Sequence, residues 1–328
     1  MRPCYYLETG SHDPFYNLAF EEYVLTHKAE GDYLILWQNE NTIVVGQNQN
    51  TEEEINRPFV ESHHINVVRR TTGGGAVYHD LGNLNYSFIT DAGDVSQMSI
   101  SRFTAPVIQA LSELGVNAEA SGRNDIIVNG KKVSGTAQRL WKRRILHHGT
   151  LLFDSDLSMI SSALQVSGEK FQSRSVKSVA SRVGNIRGYL PVDMDLEAFW
   201  DFLRRHLRDG VMDAKLTDVE LNAIREIKAE RYETWEWNFG KSPVFDVMNR
   251  QRFNGGTLEV RLSINNGRID DIAFYGDFLS RKSLAEIIEA LKECPYRKDE
   301  VEKSISHFKL EDYFGAISIN EIIWLMFC

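Results

Sequence analysis

Cysteine is scarce in this chain: only Cys4, Cys294 and Cys328 occur among its 328 residues. They are far apart and odd in number, which fits reduced thiols and predicts a cytoplasmic protein. No run of 18 apolar residues is present, and residues 1–15 lack an apolar stretch of signal-peptide length. We therefore expect neither membrane insertion nor secretion.

Positive charge is also in short supply. Lysine and arginine total 37 against 46 aspartate and glutamate residues, so the net charge is −9 at pH 7. This balance argues against a general nucleic-acid binder, although a local basic patch can still exist. At 328 residues the chain exceeds the usual size of one hydrophobic core, so we expect two domains. We also expect a monomer.

The larger, N-terminal part mixes strands and helices. Residues 13–28 predict a helix capped by Asp13, and residues 101–115 and 195–208 predict two more. Runs rich in β-branched residues predict strands at 33–37, 42–46, 65–70, 76–80 and 84–90. Because strands and helices do not alternate regularly, the predicted fold class is α+β rather than a doubly wound sheet.

The pattern changes near residues 234–243. Beyond them, residues 253–278 predict a hairpin that turns at Asn265-Asn266-Gly267, and residues 283–308 and 319–328 are mostly helical. We therefore predict a first domain over residues 1–243 and a small α+β domain over residues 244–328.

The common nucleotide and metal fingerprints are missing. Gly240-Lys241-Ser242 matches the end of a Walker loop, but Trp235 stands where that loop needs its first glycine. The dinucleotide motif fails in the same way, because Tyr78 occupies a glycine position. The histidine pairs at 63–64 and 147–148 lack the spacing of a zinc site. A protein-bound structural metal is not expected.

The most unusual segment is RRTTGGGAVYHD, residues 69–80. Each of its three consecutive glycines loses more backbone entropy on folding than any other residue would. Bare backbone N–H groups can hold an anion, and an acyl chain can lie against glycine. Arg70 adds a planar cationic donor. The segment predicts a ligand site, and a tight turn beside a surface arginine is the alternative.

A second polar segment is SGRNDIIVNGKKVSGTAQ, residues 121–138. Asn129-Gly130 predicts a two-residue hairpin turn. In that register Ile127 faces Lys132 and Asp125 faces Ser134, so that Asp125, Lys132 and Ser134 share one face of the hairpin. The cluster is either a polar site or a surface salt bridge of small energetic value.

Together with HHGTLLFDSDL, residues 147–157, these segments resemble the signature blocks of the lipoate–protein ligase A family. DPFYNLAFEE, SVASRVGNI and TWEWNFG match its other segments in the same order, over residues 5–245. The resemblance implies a biotin/lipoate ligase catalytic fold, with a mixed sheet like that of class II synthetases, followed by a small accessory domain. Taken alone, the histidines of the third segment indicate only packing or capping.

The resemblance also implies a reaction. The carboxylate of lipoate attacks the α-phosphate of ATP, which gives lipoyl-adenylate and pyrophosphate. A lysine of an acidic lipoyl domain then takes the lipoyl group; the expected partners are 2-oxoacid dehydrogenase E2 subunits or the glycine-cleavage H protein. Because both reactants of the first step are anions, positive charge and aimed N–H donors are needed. Mg²⁺ on the phosphates is expected for the same reason.

Site residues follow from the same resemblance. Lys132 would be the catalytic residue and would bridge the lipoate carboxylate and the α-phosphate. The residues expected to contact ATP are Arg70, Gly75, Ala76, Val77, Tyr78, Lys132 and Asp125, the last of which would help to place Mg²⁺ or the ribose. The residues expected to border the lipoyl chain are Gly73, Gly74, His79, His148 and Gly149, together with Lys132.

Other functions stay open at this point. Octanoyltransferases and lipoyl-amidotransferases share this fold but use a cysteine nucleophile without ATP, and no cysteine lies between Cys4 and Cys294. Biotin ligases carry a GRGR-type loop that is absent here. A non-catalytic lipoate or adenylate sensor is a further alternative, against which the presence of Arg70, the glycines and Lys132 argues.

One basic segment suits an acidic partner. Residues 139–148 carry Arg139, Lys142, Arg143 and Arg144 on an otherwise acidic chain. We interpret them as a docking patch near the mouth of the site or, alternatively, as a solvated hairpin tip.

Overall fold

The computed structural model describes residues 2–93, 100–122, 124–164, 182–208, 210–239, 247–265 and 267–327. The strands in these ranges are β1 Cys4–Glu8, β2 Asp32–Trp37, β3 Thr42–Val45, β4 Asn66–Arg69, β5 Val77–His79, β6 Asn83–Asp91, β7 Ala118–Ser121, β8 Asp125–Val128, β9 Lys131–Trp141, β10 Arg144–Leu152, β11 Val211–Asp213, β12 Val247–Phe253, β13 Gly256–Asn265 and β14 Arg268–Gly276. The helices are α1 Pro14–His27, α2 Thr51–Glu54, α3 Arg57–Ser62, α4 Ser101–Glu113, α5 Leu157–Ala163, α6 Leu196–His206, α7 Asp218–Ile227, α8 Trp235–Asn238, α9 Ala285–Leu291, α10 Lys298–Ile305, α11 Glu311–Phe314 and α12 Ile319–Met326.

The strands form three sheets. The largest has the order β11-β1-β2-β6-β10-β9-β8-β7, in which β1 runs parallel to β2 and β11 while the other pairs are antiparallel. A second sheet has the order β4-β3-β5, and a third the order β12-β13-β14. The predicted α+β class, with a mixed sheet and helices, is confirmed.

The large sheet is covered on both faces, and strand β2 explains why. Its alternating residues divide between two cores: Leu34 and Leu36 pack on the side of α4 and α6, whereas Ile35 and Trp37 pack on the side of α1 and α7. A strand buried on both faces has no polar side, so its sequence is a continuous apolar run rather than an alternation.

Helix α1 places acidic groups inside the protein. It begins after Asp13, whose carboxylate accepts a hydrogen bond from Phe15 N at 2.9 Å, as the sequence predicts. Besides its apolar residues it buries Asn17, Glu21 and Glu22. These polar groups need partners in the interior, and the candidate site supplies those of Glu21.

The C-terminal sheet and helices α9–α12 enclose a core of their own. The predicted hairpin is present as β13 and β14, although Asn266 in its turn lies outside the described residues. The boundary between residues 243 and 244, and Gly240-Lys241-Ser242, fall in residues 240–246, which also lie outside them. Within the described ranges, every helix is too short or too polar to cross a membrane.

Candidate active site

A cavity of about 110 Å³ lies where the small sheet β4-β3-β5 meets strands β9 and β10. It brings together nine of the twelve predicted site residues: Arg70, Gly74, Gly75, Ala76, Val77, His79, Lys132, His148 and Gly149. The other three, Gly73, Tyr78 and Asp125, lie beside it and do not line it. A larger groove of about 620 Å³, near Arg2 and Tyr5, contains none of the twelve.

The two ends of the cavity differ in chemistry. At the inner end Leu18, Trp37, His79 and Asn85 are each at most 3% exposed. At the outer end the side chain of Lys132 is 36% exposed. The cavity is therefore a slot that is closed at one end, where Leu18 and Trp37 form apolar walls, and open and cationic at Lys132.

The three consecutive glycines serve different purposes. A Cβ on Gly73 would lie 2.6 Å from Ser280 N, so Gly73 makes room for the C-terminal domain and not for a cavity ligand. Gly74 has φ +92°, which other residues rarely adopt. Gly75 lines the cavity, and a Cβ at this position would have no protein atom within 4 Å. The expected place of Gly73 beside an acyl chain thus does not agree with its position.

The C-terminal domain also accepts a hydrogen bond from a backbone N–H of the glycine loop. Gly74 N–H donates to Phe278 O at 3.2 Å, and Asn48 Nδ2 donates to Ser280 Oγ at 2.9 Å. A ligand that uses the Gly74 N–H must displace the Phe278 carbonyl. At about 110 Å³ the cavity is also smaller than the 300–1,000 Å³ typical of ligand sites, so a bulky ligand must widen it.

Arg70 is buried and shapes the glycine loop from within. Its Nε donates to Thr72 Oγ1, Nη1 to Val44 O, and Nη2 to Gly73 O and Gly75 O, at 2.7–3.1 Å. Four of its five N–H groups are thereby committed. Burial lowers the pKa of Arg70 to about 10, so it stays cationic at neutral pH. The alternative of a surface arginine is wrong.

A hydrogen-bonded chain runs from Arg70 into the core. The Thr72 hydroxyl bridges Arg70 Nε and His148 Nε2, at 2.9 and 2.8 Å. His148 Nδ1 lies 2.9 Å from Glu21 Oε1, which also accepts from Ser87 Oγ at 2.6 Å. The chain links helix α1 and strands β6 and β10 to the glycine loop. His148 therefore has a defined role beyond ordinary packing.

Lys132 stands at the outer end on strand β9. Its Nζ lies 2.8 Å from Asp125 Oδ1, and both side chains are about one-third exposed. A Cβ on Gly135 would lie 2.9 Å from Lys132 Nζ, so Gly135 gives the lysine a path along the strand. The predicted proximity of Lys132 and Asp125 is confirmed.

The predicted hairpin register is only partly correct. Val128 faces Lys131 and Ile127 faces Lys132, as expected, but a bulge then pairs Asp125 with Gly135 and Ile126 with Ser134. An extra residue in one strand shifts every side chain beyond it. Ser134 is consequently fully buried and does not share a face with Lys132.

Strand alternation sorts the remaining predicted residues. On β5, Val77 and His79 line the cavity, whereas Tyr78 packs into the core beneath the small sheet. Burial raises the pKa of Tyr78 to about 12. Any contact of Tyr78 with a cavity ligand must therefore use its backbone.

Strand β10 alternates in the same way. His148 faces the cavity, whereas His147 stacks on Phe103 at 4.8 Å, and burial lowers the pKa of His147 to about 3. A Cβ on Gly149 would lie 2.6 Å from the Tyr86 hydroxyl. The buried Tyr86 therefore leaves no room for a side chain at position 149, and Gly149 lines the cavity with its backbone.

The basic segment at residues 139–144 is the tip of the β9–β10 hairpin. Arg139 pairs with Glu22 at 3.2 Å, and Arg144 is buried with Nη1 donating to Gly31 O at 2.8 Å. Lys142 and Arg143 are exposed. Lys132 and Trp141 lie nine residues apart on β9, about 30 Å along the strand. The expected place of this segment at the mouth of the site is wrong, because a continuous strand separates the two.

Four further residues build the site and are not predicted from the sequence: Glu21, Thr72, Trp37 and Asn85. Glu21 had a usable signal, because it is spaced three and four residues from Leu18 and Leu25, on the buried face of α1. Thr72 and Asn85 had none, since a threonine beside a glycine loop and an asparagine in a strand are also common at the surface.

A mixed sheet that directs a glycine loop and a lysine into one cavity defines a small-molecule site of the class II synthetase-like ligase fold. The lipoyl protein ligase A/B catalytic-domain model matches residues 13–208, and the bacterial lipoate protein ligase C-terminus model matches residues 242–326. The chain belongs to the lipoate–protein ligase family.

Individual relatives agree. A lipoate-protein ligase of Bacillus subtilis is 44% identical over 322 residues, which cover 96% of this chain and 97% of that protein. A lipoate-protein ligase A structure with bound ATP is 28% identical, with a TM-score of 0.63, and covers 73% of this chain and 98% of its own. A bipartite lipoate protein ligase from Thermoplasma acidophilum, described with its E2 lipoyl domain, is 29% identical, with a TM-score of 0.63 and coverages of 75% and 99%.

Proposed function

We propose that this protein is an ATP-dependent lipoate–protein ligase. It activates lipoate as lipoyl-adenylate and transfers the lipoyl group to a lysine of a lipoyl domain. The observation that carries the proposal is the polarity of the cavity, which is closed and has apolar walls at Leu18 and Trp37 and is open and cationic at Lys132. Lipoate has the matching polarity, an apolar tail that ends in a carboxylate.

In the first step an oxygen of the lipoate carboxylate bonds to the α-phosphorus of ATP, and the bond from that phosphorus to the pyrophosphate oxygen breaks. Both groups are anionic, so Lys132 acts by offsetting their repulsion. Its present partner, Asp125, is a weak competitor, since an ion pair that is one-third exposed is worth about 1 kcal/mol or less. In the second step the acceptor amine attacks the acyl carbonyl and AMP leaves.

ATP is proposed to lie along Gly75, Ala76 and Val77, which line the cavity next to Lys132. Arg70 contributes its positive charge and the shape of the loop, and Tyr78 contributes backbone only. The ATP-bound relative supports ATP as a ligand of this fold.

Magnesium is proposed to arrive on the phosphates of ATP. A resident site does not fit the described residues, among which no group of three or more His, Cys, Asp or Glu side chains is placed to hold an ion. Asp125 is moreover paired with Lys132. No step of the reaction is therefore assigned to a metal held by the protein.

The acceptor is proposed to be an acidic lipoyl domain, of a 2-oxoacid dehydrogenase E2 subunit or of the glycine-cleavage H protein. The Thermoplasma relative, described with its E2 lipoyl domain, supports the first. A cytoplasmic location fits the free thiols of Cys4 and Cys294, and the monomeric state stays a prediction.

Pyrophosphate release tests the proposal. The protein is incubated with lipoate and ATP, with and without an acceptor lipoyl domain. Release that needs both lipoate and ATP, followed by a gain of lipoyl mass on the acceptor, is expected. Transfer from a lipoylated donor without ATP would instead identify a transferase, although neither Cys4 nor Cys294 lines the cavity. Lipoate binding without pyrophosphate release would identify a sensor.

A further inference from the structure

Residues 234–239 lie behind the candidate site, and none of them lines the cavity. They hold the backbone of Arg69, the residue before Arg70. Trp237 Nε1 donates to Arg69 O at 2.8 Å, and Arg69 N donates to Asn238 Oδ1 at 2.9 Å. Strand β4 is at the edge of the small sheet, so these two side chains supply the hydrogen bonds that a neighbouring strand would otherwise supply.

The amide of Asn238 is fixed in this orientation. Its Nδ2 donates to Tyr232 O at 2.6 Å and to Thr234 O at 3.0 Å, so Oδ1 must be the atom that faces Arg69 N. Asn238 is buried, and removal of its amide would leave three buried backbone groups without this partner. The backbone of Arg69 is therefore held in one place.

The side chain of Arg69 extends this contact to the turn that follows strand β3. Its Nη1 donates at 2.6–3.1 Å to three carbonyl oxygens of this turn, those of Gly46, Gln47 and Gln49. Its Nε donates to Trp237 O at 2.9 Å. Burial lowers the pKa of Arg69 to about 10, so the guanidinium stays cationic at neutral pH and keeps these bonds. Residues 46–49 are named the support turn below.

The support turn lies directly against the glycine loop. Gln47 N donates to Thr72 O at 2.8 Å, and a Cβ on Gly46 would lie 2.0 Å from Gly74 O. The two backbones are thus in contact with no side chain between them. Because close-packed protein interiors transmit strain, a shift of the support turn must move Gly74 and the neighbouring Gly75, both of which line the cavity.

We propose that Asn238 and Trp237 are positioning residues for ATP, which act on the glycine loop through Arg69 and the support turn. The inference rests on the proposed function, because it takes the glycine loop as the place where ATP binds. Neither side chain lines the cavity, so both act through the loop and not by contact with ATP. A misplacement of about 1 Å caused by a distant residue can cost up to about a hundredfold in rate.

The support turn should affect ATP more than the acid. Leu18 and Trp37, at the closed end of the cavity, belong to helix α1 and the large sheet, and Lys132 belongs to strand β9. These parts of the site are built by other elements than the support turn. Loss of the Asn238 amide should therefore raise the KM for ATP and leave the KM for lipoate nearly unchanged, whereas a merely structural role would not separate the two.

ATP–pyrophosphate exchange with lipoate, together with urea unfolding, tests the inference. Asn238→Ala should raise the KM for ATP about tenfold and change the KM for lipoate less than about twofold. Trp237→Phe keeps an aromatic ring but removes the donor to Arg69 O, and should raise the KM for ATP about threefold. Trp235→Phe is the matched control in the same segment. Trp235 is exposed, and its variant should leave both KM values unchanged.

A variant outside this chain of contacts separates positioning from stability. Phe199→Leu alters the fully buried core on the far face of the large sheet and should lower stability while both KM values stay unchanged. An Asn238→Ala enzyme with equal changes in the two KM values, or with none, would overturn the inference. So would a Phe199→Leu enzyme with the same rise in the KM for ATP. If Asn238→Ala does not fold, the KM values of Trp237→Phe decide in the same way.

The inference can fail separately from the proposed function. If the wild-type protein shows no exchange with lipoate, the proposed function fails, and calorimetric titration with magnesium–ATP then decides the inference. Binding that is about tenfold weaker in Asn238→Ala than in the wild type supports it. Equal affinities of the two proteins, or no binding of ATP to the wild type, overturn it.

Discussion

Two cationic groups face one cavity from very different surroundings. Arg70, in the glycine loop, is buried and donates four hydrogen bonds inside its own loop. Lys132, on the β8–β9 hairpin, is one-third exposed and has one ion-pair partner. The comparison separates a charge that is built in as part of the scaffold from a charge that is free to change partners during a reaction.

The residue types match these two tasks. A guanidinium is planar and presents five fixed donors, which suits several carbonyls at once. An ammonium is a compact charge on a flexible stem, which can follow a reacting group. Activity should therefore depend most on Lys132 and folding most on Arg70, and the predictions below test this division from the largest expected effect to the smallest.

Lys132→Ala is expected to reduce adenylate formation about a thousandfold or more, because it removes the positive charge at the reacting centre. The free energy of unfolding should change by less than about 0.5 kcal/mol, as for other partly exposed residues outside the core. Pyrophosphate release and urea unfolding are the measurements.

Lys131→Ala is the matched control, one residue away and exposed. It should be nearly silent in both measurements. Equal losses of activity in the two variants would remove the special role of Lys132.

Arg70→Lys is expected to destabilise the fold by about 4 kcal/mol, because a lysine cannot replace the bonds to Val44 O, Gly73 O and Gly75 O. Urea unfolding measures the loss. Arg143→Lys, at an exposed position, is the control and should be neutral. A stable but inactive Arg70→Lys protein would contradict the division and make Arg70 a ligand contact first.

Much of this comparison could be predicted from the sequence. The glycine run and Arg70 were identified as a site, and the Asn129-Gly130 turn placed Lys132 beside Asp125, because both depend on local backbone chemistry. The turn fixed the register only as far as Ile127, since a β-bulge has no reliable local signal, and this misplaced Ser134.

Burial was harder to predict than proximity. The sequence predicts a ligand beside Gly73, but the C-terminal domain occupies that space, and this contact spans about 200 residues of sequence. The sequence pattern places Arg144 in the same basic patch as the exposed Lys142 and Arg143, although Arg144 is buried and its Nη1 donates to Gly31 O. Contacts between distant segments have no counterpart in the local pattern, and the partners of Glu21 were missed for the same reason.

Acid is expected to destabilise the protein through two buried histidines, one in the site and one in the core behind it. His79 and His147 have folded-state pKa values of about 3, against about 6.5 when unfolded, because burial disfavours their charged forms. A histidine whose pKa is lowered by folding stabilises the folded state at pH values above its unfolded-state pKa of about 6.5. This stabilisation is lost as the pH falls from about 6.5 toward 3. Each residue loses about 1.4 kcal/mol per pH unit in that window, so the protein should lose about 3 kcal/mol between pH 7.5 and 5.5.

Urea unfolding across that range checks the slope. His147→Gln should remove about half of it, whatever its effect on the stability at pH 7.5. His64→Gln, at an exposed position, is the control and should leave the slope unchanged. A wild-type protein of constant stability from pH 7.5 to 5.5 would mean that these imidazoles are not buried as neutral groups.

Gly75 and Gly73 differ in the same way as Lys132 and Arg70, because the first of each pair serves the ligand site and the second serves the fold. Gly75→Val should raise the KM for ATP about tenfold and leave stability unchanged, because no protein atom lies within 4 Å of a Cβ at this position, which lines the cavity. Gly73→Ala should instead destabilise the protein, because its methyl group would meet Ser280 N at 2.6 Å. Kinetics and unfolding of both variants are needed, and a Gly75→Val enzyme with normal KM values would place ATP elsewhere.

The smallest effect is expected at the tip of the β9–β10 hairpin, at the opposite end of strand β9 from Lys132. Lys142 and Arg143 are exposed there, so reversing both to Glu should leave adenylate formation intact. Lipoyl transfer to an acidic acceptor should slow about threefold at low salt, because opposite charges speed encounter, and the difference should fade near 0.15 M salt, where screening acts over about 8 Å. Arg144 is left unchanged, since it is buried.

The control reverses the exposed Lys298 and Lys303 of helix α10, which alters the net charge equally. If transfer from preformed lipoyl-adenylate is equally fast at low salt in the wild type and the tip variant, or equally slowed in both variants, the tip does not contact the acceptor.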